Sequence, residues 1–260
     1  MGARDQIFSL TGRTAVVVGA GSGIGRASAL ALASFGAQVH CADIDGESAA
    51  DTVGDIVGQG GEASASVTDV TDARSVESLI GSLPVPDVVL ITPAINLRRA
   101  MFDLTDSNLQ DILDVNLVAP FRLLRDFARG MASRGAGSLI VISSIRAFVV
   151  EPGQSAYAAS KAAVLLMVRT LAGEIGPAGV RVNAIAPGVV ETPLTATIRA
   201  DEGWRDAYAA KTALRRWAHV DELVGAVVYL ASDASSYVTG SCLVVDGGWT
   251  AIDGRFDPPL

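Results

Sequence analysis

A short apolar run at residues 14–18 feeds directly into the glycine-rich segment Gly19-Ala20-Gly21-Ser22-Gly23-Ile24-Gly25, and residues 24–35 then have helical character. The same strand–turn–helix order recurs along the chain. Residues 38–43, 63–67, 88–91, 138–143, 180–185 and 243–245 read as further strands. Residues 47–57, 72–83, 106–133, 157–175 and 221–231 read as helices, with Thr71 or Asp72 as the cap of the third helix. Strands that alternate with helices imply right-handed βαβ units and a parallel sheet covered on both faces. The expected fold is therefore an α/β, doubly wound, three-layer sandwich with a seven-stranded parallel sheet. No linker or repeat divides the chain, so residues 1–260 are expected to form a single domain. Such sheets bind ligands beyond the carboxyl ends of their strands, so functional residues should fall just after strands.

The glycine segment meets that condition. A tight turn there lets the backbone approach a pyrophosphate, and the next helix presents free N–H groups and its positive dipole end. The spacing is GxxxGxG on Gly19, Gly23 and Gly25, with Ser22 inside the loop and Ile24 anchoring it to the core. An ordinary glycine-rich turn is the bland alternative. Asp43 ends the second strand, 18 residues after Gly25. A carboxylate there can accept both hydroxyl protons of an adenosine ribose and repels a 2′-phosphate. No cation neighbours it, because Ser22 and Ile44 flank the position and Arg26 lies past the loop. NAD is thus expected rather than NADP. Two alternatives remain for this acid: Asp45 is the ribose ligand, or Asp43 only opens a turn.

Tyr157-Ala158-Ala159-Ser160-Lys161 begins a helix, and the i, i+4 spacing puts phenol and ammonium on one face. A free tyrosine has a pKa near 10. A cation close by should lower it toward the range useful for exchanging a proton with a substrate hydroxyl. Ser144 stands 13 residues before Tyr157, at the end of the strand 138–143, where its hydroxyl could hold a substrate oxygen. Ser143 is the neighbouring alternative.

In this combination the chain resembles the short-chain dehydrogenase/reductase family over nearly its whole length. The YxxxK signature is Tyr157 to Lys161, the glycine loop is Gly19 to Gly25, the upstream serine is Ser144, and the helix asparagine is Asn116 in Leu113-Asp114-Val115-Asn116-Leu117. The resemblance implies a Rossmann-type fold and hydride transfer between NAD and a secondary alcohol or ketone. By the same resemblance Ser144, Tyr157, Lys161 and Asn116 are catalytic, with Asn116 holding a water that completes a proton relay. Asp69 and Val70 approach the adenine, while Pro187, Gly188, Val190 and Thr192 form the loop that orients the nicotinamide. It also implies a homotetramer, with the helices near 106–133 and 157–175 forming one face, the C-terminal strand a second, and the tail 254–260 packing on a neighbour. Two departures stand out. Val18 replaces a frequent threonine, and Thr92-Pro93-Ala94-Ile95 replaces the usual Asn-Asn-Ala-Gly. Proline removes a donor there.

Other classes are disfavoured. With 20 Lys and Arg against 28 Asp and Glu, the net charge is −8 and no basic run offsets it, which argues against nucleic-acid binding. The longest apolar stretches fall far short of the roughly 18 residues of a membrane span. Residues 1–11 carry charges and no apolar core, so no signal peptide is expected. Cys41 and Cys242 form no CxxC and read as reduced, buried cysteines, with no metal expected; all of this suits the cytoplasm.

The expected partner is a small-molecule substrate, contacted by Ser144, Tyr157, Asn96, Arg98 and Arg146, under a lid insertion at about 190–216 that carries Trp204 and Tyr208. Arginines can bind a carboxylate through paired donors. The runs Ile95-Asn96-Leu97-Arg98-Arg99 and Leu214-Arg215-Arg216-Trp217 resemble the gluconate 5-dehydrogenase and sugar dehydrogenase branch, which implies a sugar, sugar acid or polyol. A 3-oxoacyl thioester reductase, a hydrophobic alcohol dehydrogenase suggested by Phe148, Val149 and Val150, and a non-catalytic NAD-binding homologue stay open as alternatives.

Overall fold

Val18 stands opposite Ala42 on one side and Ile91 on the other, and that double pairing locates the centre of the sheet. In the computed structural model, which describes residues 6–252, seven parallel strands run in the order β3-β2-β1-β4-β5-β6-β7. They are β1 (Thr14–Val18), β2 (Gln38–Asp43), β3 (Ala63–Val67), β4 (Val88–Ile91), β5 (Gly137–Ile142), β6 (Val180–Pro187) and β7 (Cys242–Val245). The chain moves outward from β1 to β3, returns, and leaves the other way from β4. The crevice between β1 and β4 is thus the switch point at which such sheets take ligands.

Alternate residues of each strand enter opposite layers. Val16, Val18, Val89 and Ile91 pack against α5 (Ala119–Arg134) and α6 (Ser155–Ile175), with α3 (Ala73–Gly81) at the margin. Ala15, Val17, Val88 and Leu90 face α1 (Gly23–Ser34), α2 (Gly46–Gly58) and α9 (Asp221–Ala231). Central strands buried on both faces are why β4 reads as an unbroken apolar run. Edge strand β3, Ala-Ser-Ala-Ser-Val, is half exposed and polar, as an unpaired edge must be.

The expected helix over 106–133 is not continuous. It comprises α4 (Asp106–Leu113), a π-helical turn Asp114–Val118, and α5. Pro120 accounts for the break, because it has no N–H to give the carbonyl four residues earlier, which is that of Asn116. The other expected elements appear within a few residues of their bounds. Between β6 and α9 two short helices, α7 (Ala196–Ala200) and α8 (Glu202–Lys211), cover a satellite cluster of Ile145, Val189, Ile198, Tyr208, Trp217 and Trp249. Cys41 is buried, Cys242 is partly exposed, and both are free. Among the described residues no helix is long and apolar enough to cross a membrane, and no group of side chains could hold a metal. The tail 254–260 lies outside the described residues.

Gly19 adopts φ +85°, and the loop returns so tightly that a Cβ on Gly25 would collide with the Gly19 carbonyl oxygen. Gly25→Ala is expected to cost about 1–3 kcal/mol through overpacking and to abolish nucleotide binding. Urea unfolding and a nucleotide titration test both, and wild-type values in the variant would disprove the crowding.

Candidate active site

A cleft of about 520 Å³ opens at the carboxyl ends of β1, β4, β5 and β6. Gly19, Ser22, Gly23, Ile24, Gly25, Asp43, Asp69 and Val70 line one half, and Ser144, Tyr157 and Lys161 the other. Pro187, Gly188, Val190 and Thr192 form the far wall, where Thr192 caps a short turn. The structure thereby brings the expected cofactor and catalytic residues together, apart from Asn116, which lies buried behind the wall.

In the first half, Asp43 Oδ2 accepts the Gly21 N–H at 2.7 Å and Oδ1 accepts the Asp45 N–H at 3.0 Å. Each oxygen retains acceptor capacity for a ribose hydroxyl. Asp45 is occupied elsewhere: it caps α2, accepting from the N–H groups of Glu47 and Ser48 and from the Ser48 hydroxyl. Arg26 is paired with Asp55. Asp69 takes the N–H and hydroxyl of Thr71 on Oδ1, which holds its carboxyl below the ordinary value and leaves Oδ2 for an amino group. A glycine cradle that a Cβ would fill, followed by a helix N-terminus and a ribose-height carboxylate, fits a dinucleotide.

The Thr92–Ile95 departure does not loosen this half. Thr92 Oγ1 donates to the carbonyls of Val18 and Gly19 at 2.9 and 3.2 Å, tying β4 to the glycine loop. The Asn116 amide exchanges two 2.8 Å bonds with Ile95: Nδ2 donates to its carbonyl and Oδ1 accepts its N–H. Ile95 has a backbone N–H that serves as well as that of glycine.

In the second half, the Ser144 side chain hydrogen-bonds the Tyr157 phenol and accepts the Arg146 N–H at 3.1 Å. Ser143 is spent on the Lys161 carbonyl at 3.0 Å, which separates the two serine candidates. One expectation requires correction. Lys161 does not lower the phenol pKa in this arrangement. Its Nζ donates to the Ile142 carbonyl at 3.0 Å and lies 5.7 Å from the tyrosine ring centroid. Burial pushes the Tyr157 pKa up and drives that of Lys161 down to about 8. The influences that lower the phenol are the Ser144 bond, then the charges of Arg146 and Arg98.

Asn96, Arg98 and Arg146 do not line the cleft. They gather beside it around Glu151, a residue the sequence reading did not single out. Arg146 and Arg98 approach its carboxylate at 2.6 and 3.2 Å, the Tyr208 hydroxyl of α8 bonds it at 2.6 Å, and Gln154 donates to it as well. Asn96 joins through Gln154 at 2.9 Å. The available signal was an acid in the apolar run Phe148-Val149-Val150-Glu151-Pro152.

Residues 19–250 match the family described as enoyl-(acyl carrier protein) reductase. The chain is 35% identical to gluconate 5-dehydrogenase of Gluconobacter oxydans, over 94% of this chain and 97% of that one. It is 37% identical to 2-dehydro-3-deoxy-D-gluconate 5-dehydrogenase of Bacillus subtilis, over 96% and 99%. Its fold superposes with a TM-score of 0.92 on a gluconate 5-dehydrogenase from Burkholderia cenocepacia solved with NADP and tartrate, which is 32% identical and is matched over 95% of this chain and 98% of that one.

The buried ammonium has a thermodynamic signature. With its pKa held at about 8 against an ordinary 10.5, Lys161 binds fewer protons folded than unfolded. The resulting penalty is complete below about 8 and gone above 10.5. Lys161→Met removes a cost of up to ~3 kcal/mol, against about 1 kcal/mol for the lost bond to Ile142. Without nucleotide, the variant should melt above the wild type at pH 7, with the gap closing as pH rises through that window. A more heat-stable wild type at pH 7 would refute the burial account.

Proposed function

The chain belongs to the short-chain dehydrogenase/reductase family, and from that premise we propose that it transfers hydride between NAD and a secondary alcohol of a sugar acid. Membership makes it an oxidoreductase that acts on CH–OH groups with a nucleotide cofactor. The observation that carries the finer reading is the meeting of Ser144, Tyr157 and Lys161 in one cleft with the glycine loop and Asp43. The sugar-acid class follows the two gluconate-type relatives and the arginines beside Tyr157. NAD is favoured by Asp43, which has the uncharged Ile44 beside it and Arg26 engaged with Asp55.

A bound nicotinamide supplies the hydride acceptor or donor. Ser144 holds the substrate oxygen against the phenol. Tyr157, as phenolate, takes the hydroxyl proton as the C–H bond breaks, and returns it in the reverse direction. Arg146 and Arg98 stabilise that phenolate against burial. Lys161 lies behind the phenol and Asn116 behind Ser160, the route we assign to the departing proton. Residues 190–216 are read as a lid on the one catalytic domain.

We further infer a cytoplasmic homotetramer. Phe121 on α5 and Leu166 on α6 are 50% and 61% exposed along one face, which favours burial by a second copy. Sedimentation of a micromolar sample as a monomer would remove the assembly.

NADH formation across aldonates, aldoses, polyols and hydrophobic secondary alcohols, with NADP in parallel, tests the reaction. Tyr157→Phe should lower kcat by about 10²–10⁴ with nucleotide affinity retained, and near-normal turnover would exclude Tyr157 as the acid–base. Asp43→Ala should narrow the preference for NAD over NADP, and an unchanged ratio would exclude Asp43 as the selector.

A further inference from the structure

Between Ser144 and Tyr157 the chain carries a single acid, Glu151. It is held more firmly than a surface carboxylate needs to be. Arg146, whose side chain is 8% exposed, approaches it at 2.6 Å, and Arg98 at 3.2 Å. Arg98 Nη2 also donates to the Tyr208 hydroxyl at 2.9 Å, and that hydroxyl donates onward to Glu151. Aromatic faces wall both guanidiniums: Arg98 lies 4.8 Å from the Trp204 ring centroid and Arg146 5.2 Å from that of Trp249. The cluster touches the reacting end through the Arg146 N–H on Ser144. Asn96, bonded into it through Gln154, has a buried Oδ1 with no hydrogen-bond donor among the described residues.

Two guanidiniums and one carboxylate leave one net positive charge, in a setting where aromatic walls limit screening by water. An arginine retains donors after two are used, because it has five. The orphaned Asn96 oxygen asks for a hydroxyl donor. We propose that Glu151 sets the charge of the substrate pocket: by neutralising one of the two arginines it leaves a site matched to a polyhydroxy substrate with one carboxylate, in preference to a neutral polyol or a dicarboxylate. This rests on reading Ser144 and Tyr157 as the reacting end. Arg98, the more exposed guanidinium, takes the substrate carboxylate, and Asn96 Oδ1 accepts a substrate hydroxyl. Because Tyr208 belongs to α8, the acid that sets the charge also fastens the covering helix.

The test is calorimetric titration of the NADH-loaded protein with D-gluconate, D-glucitol and D-glucarate, which have six carbons each and carry one, no and two carboxylates. The wild type should bind gluconate at least about tenfold more tightly than either other probe, the scale of one charge-assisted contact. Arg98→Met should erase the advantage of gluconate over glucitol. Glu151→Gln, nearly isosteric, should turn preference toward glucarate. Tyr208→Phe removes the helix tie but no charge and should leave the gluconate-to-glucarate ratio unmoved. A wild type indifferent to charge or unable to bind any probe, an unmoved ratio in Glu151→Gln, or an equal shift in Tyr208→Phe overturns the proposal. Gluconate that binds selectively but is never oxidised refutes the reaction reading and leaves the charge assignment standing. Sugar-acid turnover with flat binding preferences does the reverse.

Discussion

Parallel strands cannot be joined by tight hairpins; each return must climb over a face of the sheet. That constraint organises the rest of the molecule. It demands a helix after nearly every strand, buries the central strands on both faces, and leaves polar side chains few places except the strand ends. Asp43, Thr92, Ser144 and Pro187 all stand at or just beyond such ends, and the cleft is the space they enclose. The tie from Thr92 to the carbonyls of Val18 and Gly19 then fixes the two central strands to each other where the outward and returning halves of the chain part.

Much of this architecture is legible in the residue order, because period-two alternation and glycine punctuation are local signals. The seven strands and the Tyr157–Lys161 spacing follow from neighbours within a few positions. What escapes is either non-local or electrostatic. The bond from Tyr208 to Glu151 spans 57 residues and that from Arg98 to Tyr208 spans 110, so no periodicity could announce them. The break in the helix at Asn116 has a local signal, Pro120, but a proline near a helix start is equally common without any π turn.

The lysine illustrates the electrostatic gap. Spacing correctly predicts that Tyr157 and Lys161 share a helix face, but it says nothing about how much water either retains. Both are buried, so desolvation penalises the phenolate and the ammonium together. In this structure two arginines from distant segments work in the direction that reasoning from the motif assigns to the lysine. Charge placed by tertiary contact outweighs charge placed by helical spacing.

The π turn has a consequence for how the chain can change over time. One surplus residue between α4 and α5 advances everything after it by about 100° around the helix axis. Ile112 before the turn and Leu123, Phe127 and Met131 after it all face the protein interior only with that surplus in place. Loss of a single residue from 114–118 would mend the helix yet swing the second half of its apolar stripe toward solvent. This segment therefore tolerates substitution far better than a change in length, and any drift in its length must be matched by wholesale exchange of the α5 face.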